Sequence, residues 1–249
     1  MLTSRKHQTT ISLLFDWLEN RVAVESYQWL KHQTVEISNG GVERTFFTSY
    51  SAVPRYLGKE KLDLSAAELQ IVAELVRGWY PVNWTLDQVG RTLILLSFPS
   101  INGAKYLATL DKLMAAADVG EAIAFYQSLC LLPHPEKFQL RAAEGIRTNM
   151  TSVFNAVAHH NPYPAQYLDD LAWNQMILKA LFVGSHLECI YGLEKRNNPQ
   201  LAQMLIDYAR ERLVANRTVS DELWNLVEPF QSEIVSELRT NYKLSSSII

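Results

Sequence analysis

The sequence predicts an all-α fold, with antiparallel helical hairpins stacked as an irregular α–α superhelix or bundle. Three observations carry this. Apolar residues recur at i, i+3, i+4 and i+7, a pattern that fills about ten to twelve helices. Glycine numbers 10 and proline 9 in 249 residues, together about 8% of the chain against an average of about 12%. Helix-start signals stand where the apolar stripes begin.

Taken in order, Ile11, Leu14, Phe15 and Leu18 form the first stripe. The segment Val35 to Phe47 is the weakest for helix, because β-branched and aromatic residues surround Gly40–Gly41. It reads as a loop and short helix, with a two-stranded ribbon as the alternative. Ser65 with Glu68, Thr85 with Gln88 and Asp118 with Glu121 have capping-box spacing or a close variant, in which two orphan backbone donors are satisfied at once. Leu69, Val72, Ala73 and Val76 form a second stripe. Trp173, Met176, Ile177, Ala180 and Leu181 form another. Asn198–Pro199 is a cap followed by proline at the first helical position, ahead of the stripe Leu201, Met204, Leu205, Tyr208 and Ala209. Gly58, Gly78 and Gly184 sit where left-handed helix ends are expected. Pro54, Pro81, Pro99, Pro133, Pro135, Pro162, Pro164, Pro199 and Pro229 are read as helix ends or starts. The spacing is too irregular for a true repeat. The chain is expected to be one domain over 1–249, with a flexible tail at 242–249.

Composition excludes several function classes. Lysine and arginine number 23 against 26 aspartates and glutamates, a net charge of −3, which argues against nucleic acid as a partner. Two cysteines, Cys130 and Cys189, cannot make a disulfide scaffold or a thiolate zinc site. The basic start Arg5-Lys6-His7 leads into an apolar run too short for a signal peptide. The longest apolar run, Thr92 to Phe98, is too short to cross a bilayer. These features place the chain in the cytoplasm with at most peripheral membrane contact, and the sequons at Asn83, Asn149 and Asn216 are read as chance matches.

The most unusual segment runs from Phe138 to His160. Beside its apolar residues, Arg141, Glu144, Thr148, Ser152, Asn155 and His159 are spaced three or four apart, and are expected on one face of a single helix. Arg147 and Asn149 flank them. The stripe reads as the polar wall of a groove for an anionic or amide-bearing ligand, or more plainly as a solvated face with an Arg141–Glu144 pair. Asn174 and Lys179 are expected opposite it, across a short Asn161–Pro164 turn that also brings Tyr163. Lys179 lies among Leu178, Ala180, Leu181 and Phe182, either desolvated or snorkelling to water. His134, His159, His160 and His186, with Asp169, Asp170 and Glu188, have no metal-ligand spacing, so no metal and no cofactor is expected. No catalytic motif is recognised, and no catalytic residue is assigned. The 6 tryptophans read as core, with an aromatic pocket for a flat apolar metabolite as the alternative.

The blocks Leu131-Leu132-Pro133-His134-Pro135-Glu136, Arg141-Ala142-Ala143-Glu144-Gly145, Arg147-Thr148-Asn149-Met150, Asn161-Pro162-Tyr163-Pro164, Ala172-Trp173-Asn174-Gln175-Met176 and Leu178-Lys179-Ala180-Leu181-Phe182-Val183-Gly184, in this order, resemble the EboA family. The resemblance covers 84–230. Residues 1–80 match only loosely. It implies a protein encoded with other Ebo proteins in bacteria, cyanobacteria among them. These act in secondary metabolism, in the export of natural products such as the scytonemin precursor toward the periplasm. The expected partners are other Ebo proteins and a small aromatic or prenylated metabolite. Three readings follow. The chain is a non-catalytic helical adaptor, an enzyme with an unrecognised site at Arg141, Glu144, Arg147, Asn174 and Lys179, or an α-solenoid scaffold.

Overall fold

A computed structural model describes the backbone of residues 2–246 and the side chains of residues 7–240. The expected tail at 242–249 therefore lies outside the described side chains. Among the described residues the chain is 73% helical, with 14 α-helices, 12 of them seven residues or longer. They are α1 (Leu2–Glu19), α2 (Val24–Ser38), α3 (Glu43–Leu57), α4 (Ala66–Leu75), α5 (Leu86–Ser97), α6 (Gly103–Ala115), α7 (Val119–Ser128), α8 (Gln139–Arg147), α9 (Thr151–Ala158), α10 (Tyr163–Tyr167), α11 (Asp170–Val183), α12 (Leu193–Arg196), α13 (Pro199–Val214) and α14 (Asp221–Ser246). No sheet occurs among the described residues; Lys61 and Thr85 pair in an isolated bridge. The all-α prediction holds. The ribbon considered for Val35 to Phe47 is replaced by the end of α2, a short loop and the start of α3.

Contacts divide the chain into two compact units, Met1–Tyr167 and Leu168–Ile249. The first is built around α5. Leu86, Val89, Leu93, Ile94, Leu95 and Leu96 are all buried, and α1, α2, α3 and α7 pack against this helix. Asp87, Arg91 and Thr92 of the same helix are buried as well, so neighbours enclose its polar side as they do its apolar one. Gly90 lets α3 approach, since a Cβ there would lie 2.6 Å from Leu57 and 2.7 Å from Val53. Trp17, Trp79 and Trp84 are buried, with ring centroids 5.8 and 5.6 Å apart along the series. They are core, as the plainer reading had it.

Two of the sequence-derived caps close with both halves. Ser65 and Glu68 form the box at α4. At α7, Asp118 accepts from the Glu121 amide at 2.7 Å and Glu121 accepts from the Asp118 amide at 3.0 Å. At α5 the Gln88 side chain accepts from the Thr85 amide at 3.0 Å, while the Thr85 hydroxyl donates to Asp87 at 2.6 Å.

Two prolines depart from their expected role as punctuation. Pro54 lies inside α3. Proline has no N–H to offer the carbonyl four residues back, here Tyr50. Arg91 of α5 donates its Nε–H to that carbonyl at 3.3 Å, so the missing bond is replaced from a neighbouring helix. Pro229 lies inside α14, which leaves helical geometry at Gln231 (φ −145, ψ 58).

In the second unit α13 packs against α11 and α14. Asp169 caps α11, accepting from the Ala172 amide at 2.7 Å. Gly184 ends it in the left-handed conformation (φ 69, ψ 31), which costs glycine nothing. Asn198 caps α13, accepting from the Leu201 amide at 2.9 Å. Arg196 lies 4.9 Å over the Trp173 ring and donates to the Leu168 carbonyl at 2.8 Å and to Asp170 at 2.6 Å.

Candidate functional site

The polar stripe between Phe138 and His160 does not lie on one helix. α8 ends at Arg147, and α9 begins at Thr151. Thr148 turns extended (φ −60, ψ 150), and its hydroxyl accepts from the Met150 amide at 3.2 Å. A threonine hydroxyl that binds backbone locally competes with the helix ladder. Sequence spacing could not register this competition. The stripe is therefore two short faces with a corner between them.

Arg141 sits on α8, half-buried, and bonds to Asp111 of α6 and to Glu144 at 2.7 Å. It is held from two sides. Tyr126 lies beside this pair, and its hydroxyl pKa is pushed up to about 12 first by burial, with Glu144 adding to the effect and Arg141 opposing it. Gly145 admits the tyrosine ring, since a Cβ there would lie 2.7 Å from Tyr126 Cζ. Arg147 is exposed at the end of α8, where a cation also faces the negative end of the helix dipole. Glu144 bonds Arg141, as the plainer reading had it, and Arg147 has no bonded partner among the described residues. Asn149 and Met150 are exposed beside it. Asn155 and His159 are half-buried on α9 and at its end. The neighbouring His160 has a left-handed backbone (φ 54), so the two histidines stand at a corner rather than on a helix.

Tyr163 is fully buried and donates its hydroxyl to the Pro135 carbonyl at 2.7 Å. Its role in the structure is to tie α10 to the turn at Pro135–Lys137. The expected direct turn from Asn161 to the Lys179 helix is interrupted, because α10 intervenes. In the second unit Asn174 is fully buried, and it exchanges amide bonds with Asn198 at 2.9 and 3.2 Å. Lys179 is half-buried, and burial lowers its pKa.

Sequence reading missed a buried charged network in the first unit. Asp87 and Arg91, 5% and 2% exposed, pair at 2.9 Å. Arg91 also lies 5.6 Å from the Tyr50 ring. The Tyr50 hydroxyl donates to the Glu121 carbonyl at 2.7 Å, and burial drives its pKa far upward. Every one of these groups faces another protein group. The network locks α3, α5 and α7 together. The i, i+4 spacing of Asp87 and Arg91 was the available signal.

Among the described residues no group of three histidines, cysteines, aspartates or glutamates could hold a metal ion, and no helix is long and apolar enough to cross a membrane. The family model described as metabolite traffic protein EboA matches residues 10–228. No curated protein and no solved structure matches the chain.

Proposed function

Because this chain belongs to the EboA family of metabolite traffic proteins, we propose that it binds its cargo without covalent chemistry and assists its passage from cytosol to periplasm. The cargo is a natural product of the scytonemin-precursor type, and other Ebo proteins are its partners. The contact surface is the corner between α8 and α9. Arg147 and Asn149 supply donors for an anionic or amide-bearing group, and Met150 supplies an adaptable apolar contact. The observation that carries the reading is the contrast between two arginines. Arg141 is consumed by Asp111 and Glu144, while Arg147 stands exposed. Asn155, His159 and Tyr163 support the frame in this reading rather than meeting cargo first, and Asn174 and Lys179 belong to the second unit.

Arg147→Ala tests it. Export of the metabolite, measured in cells carrying the variant, is expected to fall at least about tenfold, the loss of one charged contact. Folding stability is expected to change by no more than about 1 kcal/mol, as for an exposed residue. A stable variant that exports normally removes the corner from the reading.

A further inference from the structure

Within the second unit a groove of ≈ 510 Å³ opens between residues 187–197 and the first half of α14. Leu193, Leu226, Pro229 and Phe230 supply its apolar surface, and Phe230 is 40% exposed. Glu188, Glu194 and Glu222 stand on its walls, and no lysine or arginine lines it. Arg196 of α12 is committed to Asp170. The charge of the walls is felt by the adjoining Cys189, whose thiol pKa is raised first by burial and then by Glu188 and Glu222. Asn197 bridges the walls, donating to the Leu226 carbonyl at 2.8 Å. Its Oδ1 is buried with no partner among the described residues.

We propose that this groove docks a basic amphipathic helix of a partner protein. Its apolar stripe would cover Leu193, Leu226 and Phe230, and its flanking lysines and arginines would face the three glutamates. Helix-in-groove recognition needs an apolar channel with anchors one turn apart. Charge complementarity selects the partner. Three carboxylates around one apolar floor call for several cations, which a helix carries on both flanks and a small ligand with a single amine does not. The inference goes beyond the cargo reading and does not depend on it.

The test uses the full chain and a labelled peptide of about four helical turns, leucine on one face and lysine elsewhere, read by fluorescence anisotropy. The wild-type chain is expected to bind it, more weakly as salt is added. The triple variant Glu188→Lys, Glu194→Lys, Glu222→Lys is expected to lose affinity at least about tenfold, and to bind a leucine–glutamate twin peptide instead. Phe230→Ser, at an exposed site, is expected to weaken the lysine peptide at least about fivefold with an unchanged melting temperature. Should the triple variant fail to fold, Glu194→Lys and Phe230→Ser carry the test alone. No binding by the wild type, or equal binding by wild type and variants, overturns the proposal. Displacement of the peptide by equimolar dodecylamine also overturns it, since the groove would then suit a small cation.

Discussion

Arg91 carries its charge where water does not reach. Its partner Asp87 is equally buried, so removing one of them strands the other. Arg91→Met is expected to cost about 3–5 kcal/mol, the penalty of an uncompensated buried charge. Urea denaturation checks this, and a loss under about 1 kcal/mol would show that Asp87 finds another partner or water. The pair was written in the sequence as an ordinary i, i+4 spacing. What hid its importance is that α5 is enclosed on all sides, which depends on neighbours distant in the chain. Glu68 shows the opposite case at the surface. Its pKa is lowered from 4.5 to about 2, first by the Arg21 hydrogen bond and against the effect of burial. A carboxylate depressed by folding stabilises fully above its unfolded pKa and ceases to as pH falls through the folded one. The Arg21–Glu68 contribution is therefore present above pH 4.5 and lost toward pH 2. Solvent keeps it small. Arg21→Gln is expected to flatten the fall of the urea midpoint across that window, and an unchanged slope would assign the acid sensitivity to other carboxylates.

At the scale of helices, close approach decides more than propensity. Alanine normally gains about 1 kcal/mol over glycine inside a helix. At Gly90 that gain is overruled, because the added Cβ meets Leu57 and Val53 below 3 Å. Gly90→Ala is expected to destabilise by about 1–3 kcal/mol through overpacking, read as a lower denaturation midpoint. A more stable variant would mean that α3 slides away at little cost. The same scale explains the division of the polar stripe. The period of three and four residues was legible from Arg141 to His159. The break at Thr148 was not, because a hydroxyl bond to one amide leaves no trace in spacing. The capping boxes were legible because both partners lie within one turn.

For the whole molecule, the helical class was readable from period and scarce breakers alone. The division after Tyr167 was not, since the helices on either side carry stripes like any other. The site was legible only as residue types. Which arginine is consumed and which is exposed depends on Asp111, which lies on another helix. The ligand spacings also give a global expectation. Chelation with EDTA is expected to leave the thermal midpoint unchanged, because folding that depends on a structural metal would lose its binding energy. A fall of more than about 4 °C, restored by zinc, would reveal a structural site.

The proline inside α3 has a consequence for how this chain tolerates change. The carbonyl it orphans is completed by a side chain from α5, so Pro54 and Arg91 are linked through one acceptor, which the first leaves open and the second fills, although they belong to different helices. An amide restored at position 54 would compete with the guanidinium for Tyr50. Each substitution thus alters the meaning of the other, and the two sites are epistatic through a single oxygen atom. α3 transplanted without α5 would carry an unfinished backbone.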